Sequence, residues 1–282
     1  MNSAERQATA ANPNTPPEVL SYLATDSDIR VLRLVASNLN TSATTLEQLA
    51  RRTPAVHSRV ASNPNTTRTT LNTLATDTSA HVRWCVADHP KTEPHTLSTL
   101  ATDPCTDIQQ LVALHKNTPP QALRTLATNT SSHVRVGVAW HHNTEPDTLS
   151  TLATDHDTHV RRYVAGNRNT PTDALTELAT DPDTEVRLRV AAHPHTTTTI
   201  VVTLTHDHNP IVAHAASTRG RLHCLHRYAA TLPEPVHTHG RLLIDNGFPG
   251  WPDQLADTLH TQQRTSLHAS ARTNDREHGP RL

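Results

Sequence analysis

The sequence predicts an all-α solenoid of about eight two-helix units. Two observations carry this: an internal repeat of 25–26 residues, and an apolar content too thin for a compact core. Leu-Ala-Thr-Asp begins at Leu23, Leu74, Leu100, Leu152 and Leu178, a variant begins at Leu126, and Leu49 opens Leu-Ala-Arg-Arg; the steps are 26, 25, 26, 26, 26 and 26 residues. Thr keeps the same beat at 15, 41, 66, 92, 118, 144, 170 and 196, and Ala at 36, 61, 87, 113, 139, 165, 191 and 216. A period of this size marks stacked supersecondary units. Of 282 residues only 34% are hydrophobic and 2% aromatic, whereas Thr fills 46 positions and His 22. A single globular core of this length is excluded; a core one or two side chains thick, shared along a stack, is not.

Taken in order, residues 1–11 are a lead-in, 12–217 hold the eight units, 218–264 suggest a helical cap, and 265–282 are polar and aperiodic, as expected of a disordered tail. Within a unit the first helix should open at the recurring Thr, whose hydroxyl can cap free amides. Thr15-Pro16-Pro17-Glu18 and Thr118-Pro119-Pro120-Gln121 have the form of capping boxes with Pro at the first helical position. Leu20, Leu23 and Ala24 then give one narrow apolar stripe, and Asp26 and its equivalents end the helix or begin the turn. The second helix carries Val31 with Val35-Ala36, and later Val160 with Val164-Ala165. Helices of about ten residues are marginal alone. They must be held by their neighbours.

The pattern Asn-Pro-x-Thr-Pro-x-x-x-Leu-x-x-Leu-Ala-x-Asp-x-x-x-x-Val-Arg-x-x-Val-Ala resembles the leucine-rich repeat variant family, and its second half resembles the wider HEAT-type and armadillo-type repeats. The resemblance covers residues 12 to about 217. It implies a right-handed superhelix of alternating α and 3₁₀ helices without strands. The founding member of that family carries an iron–sulfur cluster on a cysteine-bearing N-terminal segment. Here residues 1–11 contain no cysteine and the chain has three, Cys85, Cys105 and Cys224. No cluster, and no other cofactor, is expected.

Composition narrows the function. Twenty-five basic and 26 acidic residues give a net charge of −1, so no global field draws nucleic acid or membrane. No stretch approaches the ~20 apolar residues of a membrane span, and no secretory signal opens the chain. A cytoplasmic protein is expected. Arg30, Arg33, Arg59, Arg83, Arg135, Arg161, Arg162, Arg187 and Arg189 recur in the second helices. They read either as a stripe following a phosphate backbone or as charges organising the stack. Asp157 before Arg161 and Asp183 before Arg187, each at i, i+4, favour the second reading.

The histidines offer a metal reading. His133 and His159 are equivalent in adjacent units, as are His89, His115 and His141, but equivalent points in a stack lie ~10 Å apart, too far to share a zinc ion at ~2.1 Å. The denser set His206, His208, His214, His223, Cys224, His226, His237 and His239 lacks any recognised zinc spacing, and no metal is expected. The number of histidines suggests sensitivity to pH below about 6.5. For catalysis there is no glycine-rich phosphate loop and no Gly-x-Ser-x-Gly. A HEAT-like enzyme acting on nucleic acid, with Trp84, Trp140 and nearby Asp, is the remote alternative.

Trp84, Trp140 and Tyr163 break an otherwise repeating surface, and large aromatic and Arg side chains dominate binding hot spots. The expectation is therefore a non-catalytic scaffold binding a protein partner through Trp84, Arg135, Trp140, Arg161, Arg162 and Tyr163. Nucleic-acid binding along the arginine stripe is the alternative.

Overall fold

The structure is a computed structural model that describes residues 1–218. The cap expected over 218–264 and the tail over 265–282 lie outside the described residues, as do His223, Cys224, His226, His237 and His239. Among the described residues all regular structure is helical. In chain order the helices are α1 (Ser3–Ala11), α2 (Pro17–Leu23), α3 (Ile29–Ser37), α4 (Ala43–Arg52), α5 (His57–Ser62), α6 (Arg68–Leu74), α7 (Ala80–Asp88), α8 (Pro94–Leu100), α9 (Thr106–Leu114), α10 (Pro120–Leu126), α11 (Ser132–Trp140), α12 (Pro146–Ala153), α13 (Thr158–Gly166), α14 (Thr172–Leu178), α15 (Thr184–Ala192) and α16 (Thr198–Thr205), with further helix at 210–218.

Even-numbered helices α2 to α16 are the first helices of successive units; α3 to α15 are the second. Both kinds are α-helical, where the family resemblance implied alternation with 3₁₀. Among the described residues the 3₁₀ helix is confined to Pro54–Val56. That turn marks the 25-residue step: Leu-Ala-Arg-Arg extends α4 by a turn, Pro54 follows, and α5 is left with six residues. The lead-in is itself helical. Asn2 and Glu5 form a reciprocal capping box on α1, Ala10 is fully buried, and α1 packs on α3 as one second helix packs on the next. It stands in the place of a second helix.

Among the described residues seven units bury the two Leu of the first helix and the Val (Ile108 in one) and Val-Ala of the second, from Leu20, Leu23, Val31, Val35 and Ala36 to Leu175, Leu178, Val186, Val190 and Ala191, and α16 buries Ile200, Val201 and Leu204. The second helices form the more closely packed layer, because the recurring Ala stands where neighbours approach. No helix among the described residues is long and apolar enough to cross a membrane.

The recurring Thr does not cap the helix that follows it. Thr41, Thr66, Thr92, Thr118, Thr144 and Thr170 are fully buried, and each hydroxyl donates to the carbonyl six residues earlier, on Val35, Val60, Val86, Val112, Val138 and Val164. The N-cap is the next residue. Ser42, Thr67 and Thr197 accept a backbone N–H there, whereas Pro16, Pro119 and Pro171 cap with no side-chain bond. The Thr thus ties down the end of the preceding helix, whose last carbonyls have no helical partners.

The turns stack through side-chain amides and imidazoles. Asn38 donates to the carbonyls of Ala10 and Asn12, Asn63 to those of Ala36 and Asn38, and Asn167 to those of Ala139 and His141. His89, His115, His141 and His193 hold the same register in the other units. Two residues on, Asn40, Asn65, Asn117, Asn143 and Asn169 reach back to the previous turn as well.

Candidate partner-binding face

The arginine register decides which side chains of the second helices are engaged between units. Arg135 Nε donates to Asp155 Oδ2 at 2.6 Å and Nη2 to Oδ1 at 2.9 Å, while Nη1 reaches back to the carbonyl of Asn129 at 2.8 Å. Arg83 with Asp103, Arg161 with Asp181 and Arg187 with Asp207 repeat this two-armed pair at the same sequence separation. Arg6 Nε makes the single bond to Asp26. The pairs therefore join successive units and do not run i, i+4 along one helix, as the spacing of Asp157 and Arg161 suggested. The acceptor aspartates are fixed in turn: Oδ1 of Asp103, Asp155, Asp181 and Asp207 accepts the N–H two residues on.

Among the described residues three places depart from the pair: at Leu32 and Arg52 none is possible, and Arg52 donates to the carbonyls of Ala24 and Thr25 instead. His57 takes the Arg place, with Nδ1 facing Asp77 Oδ2 and Nε2 facing the Ala50 carbonyl. Gln109 pairs with Asn129 and donates to the Asp103 carbonyl, a neutral version with both partners changed together. The acid–base consequences follow. Burial raises Asp155, but the Arg135 hydrogen bond and the Asp157 N–H outweigh it, so its pKa lies below the ordinary value. The Asp155 hydrogen bond raises that of Arg135.

The structure separates the six sequence-selected residues. Arg135 is buried, and the side chain of Arg161 is mostly covered. Arg162 is half-buried in a two-armed pair with Asp183, 2.9 and 2.8 Å, again across units. These three brace the stack. Trp84, Trp140 and Tyr163 lie in the open, at 40%, 57% and 38% exposure. Trp84 stands over His81, ring centroids 6.4 Å apart, and with Cys105, Asp107 and Ile108 walls a cleft of about 320 Å³ between α7 and α9. The Arg189 guanidinium lies 5.9 Å from the Tyr163 ring centroid and bonds Glu185.

Trp140 follows Ala139 as Leu114 follows Ala113, so the two hold one register on adjacent helices, and both are exposed. Leu114 was missed from sequence because it ends the run Leu111-Val112-Ala113-Leu114, which reads as core. Leu111 on α9, Val136 on α11 and Leu188 on α15 are half-buried and pack against the core. Of the two glycines among the described residues, Gly137 is buried and Gly166 is exposed. A Cβ on Gly137 would stand 2.9 Å from Ala113 Cβ, whereas one on Gly166 would meet only Arg189 Nη1, at 3.3 Å. A larger groove of about 660 Å³ lies elsewhere, at the turns around Asn143, Arg168 and His195. Among the described residues no three His, Cys, Asp or Glu side chains converge as metal ligands.

A family model and several solved structures match this chain. The leucine-rich repeat variant family matches residues 158–183, one unit length. A solved structure described as a leucine-rich repeat variant with a novel repetitive protein structural motif is 25% identical, with a TM-score of 0.55, over 72% of this chain and 81% of that one. An engineered protein is 16% identical with a TM-score of 0.39, covering 86% of this chain and 94% of its own. The archaeal HEAT-like repeats protein from Thermococcus onnurineus is 11% identical with a TM-score of 0.24, covering 77% and 90%. No curated protein matches the chain.

Proposed function

From a solenoid built of leucine-rich repeat variant units, we propose that this chain is a non-catalytic scaffold that binds a protein partner through the exposed face of its second helices, centred on Trp84, Leu114, Trp140 and Tyr163. One observation carries the reading: large apolar side chains stand in solvent on successive second helices, while the arginines recurring there are engaged by aspartates. An isolated exposed apolar residue is ordinary, but exposed ones on four successive second helices support an interaction surface. Trp and Tyr also bring large contact area at low entropic cost. The free thiols of Cys85 and Cys105 suit a reducing compartment, and we place the protein in the cytoplasm.

The nucleic-acid reading needs guanidinium groups free to meet phosphates. Arg83, Arg135, Arg161 and Arg187 spend theirs on neighbouring units. Affinity capture from native-host lysate, with and without nuclease, tests the choice. A near-stoichiometric protein that survives nuclease and is lost with Trp140→Ser, Tyr163→Ser supports the reading. Loss of every specific species on nuclease treatment overturns it.

A further inference from the structure

At the register filled by Asn38, Asn63 and Asn167, three consecutive units carry histidine. The backbone N–H of Lys91, Asn117 and Asn143 donates to Nδ1 of His89, His115 and His141, at 3.1, 3.1 and 3.0 Å. An atom that accepts an N–H holds no proton. The remaining proton must therefore sit on Nε2, which faces the carbonyl of the equivalent residue one unit earlier: Asn63 at 3.2 Å, His89 at 3.1 Å and His115 at 3.0 Å. Asparagine makes both bonds with Oδ1 and Nδ2, and acid does not change it. In Asn38, Asn63 and Asn167 the Oδ1 takes the N–H of Asn40, Asn65 and Asn169. Imidazole makes both bonds only while neutral.

We propose that His89, His115 and His141 form an acid-sensitive joint in the middle of the solenoid, which loosens when a proton on Nδ1 displaces the backbone N–H that each ring accepts. The rings are enclosed between consecutive turns, His89 and His141 almost wholly so. The charged and titratable groups around them are few. Lys91, Lys116 and His142 oppose a charge on the ring of their own turn; His115 opposes one on His89 and on His141; and Asp88 favours one on His89 and His115. Lys91 points its Nζ to the Pro64 carbonyl, and His142 stacks on His141 at 4.6 Å.

Burial lowers the proton affinity of all three rings below the ordinary value of about 6.5, against the opposing pull of the carbonyl that each Nε2–H meets. The folded state thus binds fewer protons than the unfolded chain. The stability from the joint is fully present above about pH 6.5 and drains away as the pH falls below it. His193 continues the pattern, with its Nδ1 accepting the N–H of His195 and its Nε2 facing the Asn167 carbonyl. The joint also lies under the proposed binding face, since Leu114 and Trp140 directly precede His115 and His141. Acidification would release a partner there; that consequence alone rests on the reading above, and the test of the joint needs no partner.

The experiment compares the isolated wild-type chain with His89→Asn, His115→Asn, His141→Asn at pH 7.5 and 5.0. The wild type is expected to lose at least about 5 °C more of its melting midpoint than the variant on acidification. Amide exchange on the wild type, corrected for intrinsic rate, locates the effect and does not depend on the variant folding. Protection at Lys91, Asn117 and Asn143 falls at pH 5.0 while that at Asn40, Asn65 and Asn169 persists. Equal loss in the two proteins, or unchanged protection at Lys91, Asn117 and Asn143, overturns the proposal.

Discussion

Arg135 and Asp155, on consecutive units, clasp each other through two hydrogen bonds of 2.6 and 2.9 Å, and both side chains are only 6% exposed. The pair fastens the end of α12 to α11, and Arg135 ties the same joint to the Asn129 carbonyl. Removing one partner strands a covered charge. Arg135→Ala is expected to cost about 2–4 kcal/mol. Arg135→Gln with Asp155→Asn should recover most of that, because Gln109 and Asn129 already form the neutral pair. Urea unfolding of the two single variants and the double variant reads the coupling. A coupling energy under about 0.5 kcal/mol would show that the pair does not join the units.

Thr118→Val tests the buried hydroxyl. The shapes match, but the bond to the Val112 carbonyl is lost. That carbonyl keeps the His115 N–H, so the expected loss is about 1 kcal/mol in chemical denaturation. A loss near that of Thr99→Val, an exposed site, would mean that the ties at the helix ends contribute nothing.

The two glycines should respond in opposite directions to alanine. Gly137→Ala drives a methyl onto Ala113 and is expected to destabilise by about 1–3 kcal/mol. Gly166→Ala meets only the end of a flexible arginine, and by helix propensity it should stabilise by up to about 1 kcal/mol. Thermal midpoints of the two variants decide, and a shared sign would contradict the close approach of α11 to α9.

Asp183 gives the carboxylate counterpart of the histidine joint. The Arg162 guanidinium hydrogen bond and the Val186 N–H together outweigh burial and hold its pKa at about 2, against an ordinary 3.8. A lowered native value means stability present above the ordinary carboxylate range and lost as the pH falls through about 2. Carboxyl NMR titration should show Asp183 moving upward in Arg162→Ala, short of the ordinary value because the Val186 N–H remains. An unchanged midpoint would assign the shift to the helix end alone.

The repeat was legible because its apolar positions are periodic. Leu20, Leu23, Val35 and Ala36 recur through seven units to Leu175, Leu178, Val190 and Ala191, Val31 recurs with Ile108 in its place once, and burial follows these positions. What the sequence hid was direction. Thr118 looks like an N-cap because Pro119 and Pro120 follow it, yet its hydroxyl turns backward to a carbonyl that only the folded turn brings near. Asp157 before Arg161 reads as a pair within one helix, but Arg161 reaches Asp181 in the next unit. The separation of about twenty residues between pair members was present in the sequence, and comparing Gln109 and Asn129 with their equivalents was the signal that would have found it. Trp84, Trp140 and Tyr163 were identifiable as departures from the pattern. Leu114 was not, because exposure at the end of an apolar run depends on how the helices stack.

The most direct measurement is a binding titration of the captured partner against three proteins: wild type; Trp84→Ala, Trp140→Ala, Tyr163→Ala; and Arg135→Gln, Asp155→Asn. The account predicts at least a tenfold loss of affinity, about 1.4 kcal/mol, for the aromatic variant and affinity within about twofold for the charge-neutral one. An aromatic variant that binds like wild type, beside a charge-neutral variant that does not, would contradict it and return the arginines to the binding surface.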